Sequence, residues 1–496
     1  MSDHIRSTEP PPHRADLTEP ADLVDLADTR LGAAVVACSD AYFGPADALL
    51  RRARPEARED AYTERGKWVD GWETRRRRGA DRSAGPDWCI VRLGAAGVVR
   101  TVVVDTAFFT GNYPESCWLE GAAVDGYPSP DELTADSVEW TTLVPRVPLK
   151  GDTEHRFTSE ADRRFTHVRL CIAPDGGVAR LRVHGEVVPD PRSFAGMPLD
   201  LAAVENGGVV ESCSDMYFSE RQNLVMPGPP RSMAEGWETR RRRGEGHDWA
   251  VVRLAGEGIA RVAEVDTRFF RGNAPGAFSL EYSTAEYSTA EYSTGPGPGG
   301  DPGWQPLIGR TRLQPDTRHR FSVPPHPPAA RIRINVYPDG GLARLRLFGT
   351  LTARGHEDLA LRRLNALPAV AARRELLGVC GSARWAAAMA ERRPFGDLAQ
   401  VRRAARAIWD GLTRDDWTEA FNAHPRIGER SGSAWSRQEQ AAVAAAGEGV
   451  LDVLAKANRV YEARFGFVFL ISATGRNAQE MLDELRRRLG KLFGTA

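Results

Sequence analysis

A chain of 496 residues is too long for one hydrophobic core and calls for two or more domains. Its 42% hydrophobic and 27% charged residues, with a formal net charge of -1, are those of a soluble globular protein. That balance speaks against a nucleic acid or an acidic membrane as partner, and no run approaches the about eighteen apolar residues of a membrane span.

From the N-terminus, residues 1–19 are polar and proline-rich, lack the apolar stretch of a signal peptide, and read as a disordered tail. The six cysteines show no C-x-x-C spacing and read as free thiols of a reducing, cytoplasmic compartment. A long internal repeat then sets the organisation. ACSDAYF at Ala37 returns as SCSDMYF at Ser212, and GWETRRRRG recurs unchanged at Gly71 and Gly236. DWCIVRL returns as DWAVVRL, VDTAFFTGNYP as VDTRFFRGNAP, and PDGGVARLRVHG as PDGGLARLRLFG. The offset is 165 residues between Trp72 and Trp237, 161 between Asp105 and Asp266, and 164 between Asp175 and Asp339. Order and spacing both persist, so a whole domain is duplicated, with copies at 20–190 and 191–352.

Each copy reads as β. Ala179, Leu181 and Val183 alternate with Arg180 and Arg182, the period of a strand with one buried face. PDGG between two such runs predicts a hairpin, and the many short strands predict a jelly-roll sandwich for each copy. The EYSTA repeats and GPGPGGDPG between Glu281 and Gly303 read as a surface expansion of the second copy. From 353 to 496 the texture turns to Ala, Leu and Arg at helical spacing, predicting an all-α domain. The fold class is therefore two tandem all-β jelly-roll sandwiches followed by an all-α domain.

On a strand, Glu73, Arg75 and Arg77 of WETRRRR would point one way, as would Glu238, Arg240 and Arg242. Guanidinium groups on such a face need an anionic partner, either a ligand carboxylate or protein carboxylates such as Asp40 and Asp105. Asp40 and Asp215, each ahead of an aromatic pair, suit a turn anchor or an acid/base group. His155 and His319 recur in H-R-F, but no metal-ligand spacing accompanies them, and no metal or cofactor is expected. In the α region, His424 precedes Pro425, a proline that biases its predecessor out of the helix. Ser436 and Glu439 have the spacing of a helix capping box, and with His424 they also suit an acid/base site.

These motifs carry a resemblance. Four of these recurring blocks between about residues 20 and 352, SD-x-YF, GWETRRRR, VDT-x-FF-x-GN and PDGG-x-x-RLR, resemble the allantoicase family, two homologous jelly-roll domains that hydrolyse allantoate to (S)-ureidoglycolate and urea. The α region, through RPFGD, F-x-x-HPRIG, Ser436-x-x-Glu439-Gln440 and YEARFGF, resembles 2-oxo-4-hydroxy-4-carboxy-5-ureidoimidazoline (OHCU) decarboxylase, which yields (S)-allantoin. Relatives usually continue through another helix after the LRRRLGKLFG stretch. The resemblance implies a carboxylate clamp from Arg75, Arg77, Arg240 and Arg242, with Glu73 and Glu238 orienting ureido groups or handling protons. For the decarboxylase it implies His424 as the proton-transfer residue and Glu439 on the ureido or ring nitrogens. Pro425, Ser436, Gln440 and Ile471 would line that pocket, and Arg476 would hold the substrate carboxylate. Allantoate and OHCU are then the expected small-molecule partners, with association with a separate allantoinase and a homo-oligomer as further expectations. The rival readings are a carbohydrate- or small-anion-binding sandwich joined to the helical decarboxylase, and a nucleic-acid binder built on the arginine runs.

Overall fold

The computed structural model describes residues 23–78, 85–284, 303–423, 448–471 and 477–490. The chain divides after Ala366 into two compact units.

The first unit holds both β domains. In the first, the 19-residue strand Asp87–Asp105 is the spine. Its early residues pair with Arg164–Ala173 and Ala34–Cys38, its later ones with Arg180–Val187 and Glu154–Thr158. The two ends of one strand thus lie in the two leaves of an antiparallel sandwich. The crossing falls at the small residues of LGAAG, where a Cβ on Gly97 would stand 2.2 Å from the Glu186 carbonyl oxygen. Ser116–Ala122 and Thr141–Pro148 extend the leaf that contains Arg164–Ala173. Val91, Val102, Val104, Leu119, Leu170, Ile172, Leu181 and Val183 fill the space between the leaves. The second domain repeats this plan around Asp248–Asp266, paired early with Ala329–Tyr337 and Val209–Cys213 and late with Arg344–Leu351 and Arg318–Ser322. The expansion expected between Glu281 and Gly303 lies between Ala277–Ser283 and Gln305–Arg312, which pair with each other; its residues 285–302 are outside the described ones.

Two expectations change. The PDGG segment does not close a hairpin: its flanking strands, Arg164–Ala173 and Arg180–Val187, pair with different ends of the spine. Gly177–Val178 pairs instead with Trp72–Glu73. The glycines serve close approach, because a Cβ on Gly176 would meet the Asn112 carbonyl oxygen at 2.7 Å and one on Gly177 the Phe109 ring at 2.0 Å. The arginine face of RLR is also not solvated. Arg180 is 2% exposed, with Nη2 bound to the Asp70 carboxylate at 2.6 Å and Nη1 and Nε donating to carbonyls of Asp70 and Ala53. Arg344 donates likewise to the carbonyls of Asn223, Glu235 and Gly228. These buried guanidiniums hold the segment ahead of GWET against the sheet.

The helix Ala353–Ala366 belongs to this first unit: Leu359 enters the second sandwich core and Arg362 donates to the Ala255 carbonyl. The unit from Leu367 onward is helical, with Ala369–Cys380, Ala383–Glu391, Leu398–Asp410, Arg414–Asn422, Glu448–Phe465 and Ala478–Gly490. Ser382, Asp397 and Thr413 cap three of these helices, each accepting from a backbone N–H of the first turn. Asp397, the last residue of RPFGD, is thus a cap.

Candidate active site

The recurring motifs of each sandwich converge on one place. Trp72 is fully buried, and its indole N–H donates to the Asp40 carbonyl; Trp237 does the same to Asp215. That anchors Trp72–Glu73, a strand of two residues, beyond which the chain runs on without ladder partners. Strand alternation therefore ends before the arginines. Thr74 fastens the next turn, exchanging backbone and hydroxyl hydrogen bonds with Gly176 of PDGG at 3.1 Å. The Arg77 backbone N–H donates to the Asp175 carboxylate at 2.8 Å, and Arg242 to Asp339 at 2.7 Å.

The side chains of the arginine run part company. Arg75 turns to the surface and pairs with Asp40, with a matching pair of Arg240 and Asp215. The Arg77 guanidinium reaches the buried Asp87 at 2.6 Å, and Arg242 pairs with Asp248. The partner of Arg77 is thus Asp87, not Asp105. Arg76, Arg77 and Arg78 line a cavity of about 270 Å³ together with Glu73, Thr74, Asn112, Tyr113, Glu115 and Asp175. Arg75 and Asp40 are not among its walls. Of the expected first-repeat residues, the cavity gathers Glu73 and Arg77 and leaves out Arg75 and Asp40. It adds Arg76, Arg78 and Asn112, which sequence reasoning missed. The signal for the asparagine was present: GN recurs in both copies, at Asn112 and Asn273.

Asn112 donates from Nδ2 to Glu73 Oε1 at 2.8 Å, and Asn273 donates to Glu238 Oε1 at 2.6 Å. Burial pushes the Glu73 carboxyl above the usual carboxylate range, against the Asn112 hydrogen bond and the Arg76 charge, which pull it down. A half-buried acid whose pKa is raised by burial, in one cavity with three arginines, can bind an anion and protonate a leaving group in one place. The recurring histidines play no such part. His155 Nε2 accepts from the Lys150 N–H at 2.9 Å while Nδ1 faces the Val104 carbonyl, and His319 is held in the same way.

In the helical unit, His424, Pro425, Ser436, Glu439, Gln440 and Arg476 lie outside the described residues. Ile471 is described and packs on the cluster of Leu454, Tyr461, Phe469 and Met481. The aromatics of YEARFGF form that packing, with ring centroids 4.4 Å apart for Tyr461 and Phe465. Phe421, the first residue of FNAHPRIG, stacks obliquely on Phe467 at 5.3 Å. This contact brings the start of the histidine motif beside the segment that leads to Ile471.

Comparison with known proteins gives the families that the two units match. A family model described as allantoicase repeat matches residues 24–188 and 199–352, and one for OHCU decarboxylase matches 365–494. A probable allantoicase of Streptomyces coelicolor (strain ATCC BAA-471 / A3(2) / M145) is 46% identical over 345 residues, 68% of this chain and 88% of that protein. One of Nocardia farcinica (strain IFM 10152) is 46% identical over 336 residues, 66% of this chain and 95% of its own. The crystal structure of allantoicase from Saccharomyces cerevisiae aligns with a TM-score of 0.54 at 32% identity, covering 66% of this chain and 93% of that one.

Proposed function

This chain belongs to the allantoicase family, and from that premise we propose that allantoate is bound and hydrolysed in the Glu73 cavity. The observation that carries the reading is the cavity itself: a half-buried carboxyl bound by Asn112, in one lining with Arg76, Arg77 and Arg78. Its volume is below the ~300–1,000 Å³ of drug-sized ligand pockets, as suits a small acid. The guanidiniums of Arg76 and Arg78 take the substrate carboxylate, while Arg77 is tied to Asp87 and shapes the wall. Asn112 presents its amide to a ureido group and fixes the Glu73 carboxyl. Glu73 gives its proton to the ureido nitrogen that departs as urea, while the oxygen of a water molecule takes the vacated bond on the central carbon and that water gives up one proton. Arg75 and Asp40, with Arg240 and Asp215, brace the turn from outside.

The second unit is an OHCU decarboxylase domain. Its proposed roles are proton transfer by His424 at the substrate hydroxyl, contacts from Glu439 to the ureido or ring nitrogens, and a pocket of Pro425, Ser436, Gln440 and Ile471. Arg476 holds the departing carboxylate. Allantoin ring opening lies between the two reactions, so a separate allantoinase is the proposed associate; its failure to co-elute with the purified chain counts against that. A cytoplasmic location is in keeping with the six free cysteines. Among the described residues no helix is long and apolar enough to cross a membrane.

The test measures urea release from allantoate and carbon dioxide release from fresh OHCU on the intact chain, on Glu73→Gln and on His424→Ala. Glu73→Gln is expected to lose only the first and His424→Ala only the second. An intact chain that frees no urea from allantoate overturns the hydrolase reading.

A further inference from the structure

The two sandwiches keep the same glutamate–asparagine pair, but the walls around it differ. The cavity of the first repeat includes Tyr113 and Glu115; in the second repeat those places are held by Ala274 and Gly276. The tyrosine is built in. A Cβ on Gly151 would stand 2.7 Å from both the Phe109 carbonyl oxygen and the Tyr113 ring, so the glycine leaves room for both. At the matching place of the second repeat, where Ala274 needs no such room, the residue is Pro315. The approach to the pair differs too. In the second repeat the Met233 sulfur lies 3.2 Å from Asn273 Nδ2, whereas the residue at the matching sequence position of the first repeat is Trp68, whose ring is covered by the Arg58 guanidinium at 4.6 Å.

Glu115 changes the chemistry available. Adding water across the departing ureido group needs a proton given and a proton taken. Asp175 and its counterpart Asp339 are each engaged by a backbone N–H, of Arg77 and Arg242, and do the same service in both copies. Glu115 is the cavity carboxylate that has no counterpart.

Resting on the reading above, we propose that the first repeat alone carries the complete hydrolytic site, with Glu115 as its base, and that the second repeat is a site without turnover. Glu115 takes a proton from water as the water oxygen bonds to the central carbon of allantoate. The carbon–nitrogen bond to one ureido group breaks, its electron pair stays on nitrogen, and Glu73 protonates that nitrogen to give urea. Proton exchange with solvent then resets both carboxyls.

The test uses the full chain and single substitutions in the first repeat. If one repeat turns over, Glu73→Gln and Glu115→Gln each lower kcat for urea release by at least about 100-fold, the scale of a lost acid or base. Glu115→Gln also erases the acidic limb of the pH–rate profile, and Glu115→Asp restores the limb and part of the rate. If both repeats turn over alike, either substitution leaves about half of the rate, and the proposal is overturned. A dead Glu73→Gln beside an active Glu115→Gln overturns the role of Glu115 and leaves the cavity reading standing. Full activity in Glu73→Gln refutes the cavity reading itself. Thermal unfolding of each variant, with OHCU decarboxylation as an internal control, separates lost chemistry from lost fold; an unfolded Glu115→Gln would be replaced by Glu115→Ala with formate added, where rescue supports the base and its failure opposes it.

Discussion

Asn112 and Glu73 belong to two different motifs of the first sandwich, 39 residues apart, and meet through a 2.8 Å hydrogen bond in the lining of the cavity. The loop carrying Asn112 is set by PDGG, whose Gly177 N–H donates to the Asn112 carbonyl at 2.7 Å. The side chain that touches the acid is therefore placed by a third motif. Removing the amide by Asn112→Ala is expected to lower kcat for urea release about 10- to 100-fold. The same hydrogen bond pulls the Glu73 carboxyl down, so without it the proton is held more tightly. As Glu73 acts protonated, the alkaline limb of the pH–rate profile moves to higher pH. A limb that moves down, or an unaltered rate, contradicts the assignment.

Arg76 and Arg78 are the cavity guanidiniums proposed to take the substrate carboxylate. Arg76→Ala is expected to raise KM for allantoate about 10- to 100-fold with a smaller change in kcat, the pattern of a lost charge-assisted contact. Arg75→Ala acts on a surface pair with Asp40 and leaves KM within about twofold. Steady-state kinetics on both variants decide it; equal effects would return Arg75 to the clamp.

The buried pair of Arg180 and Asp70 predicts a stability effect. Asp70→Asn strands the Arg180 guanidinium, 2% exposed, without its charge partner, and is expected to cost about 3–5 kcal/mol in the first β domain. Chemical denaturation followed by tryptophan fluorescence would show it, with decarboxylation retained at denaturant concentrations that abolish urea release.

His167 gives a pH dependence. It is 2% exposed, and burial, with the Arg92 charge, lowers its pKa from 6.5 to about 4. The folded state resists a proton that the unfolded chain accepts. Stability from the neutral imidazole is complete above pH 6.5 and is lost as pH falls towards 4, on the order of 3 kcal/mol at most. His167→Gln is expected to flatten that slope in unfolding experiments between these two pH values; an unchanged slope would place the titration elsewhere.

The sequence by itself determined the duplication, the β character of each copy, the helical unit and the family, because recurring motifs and the periods of two and 3.6 are local properties of the chain. It also pointed to Glu73 and to the arginine run. Tertiary structure decided which arginines do what. Strand alternation would have grouped Arg75 with Arg77, but the ladder stops at Glu73, and each later guanidinium turns to the carboxylate or cavity it meets. PDGG reads locally as a hairpin turn, yet burial of Trp72 and pairing of Trp72–Glu73 with Gly177–Val178 make it a wall of the site. Asn112 was present as a motif letter, and only packing across 39 residues gave it an acid to hold. Periodicity assigns a side chain to a face; which charge it then finds there depends on contacts distant in sequence, and these set the chemistry.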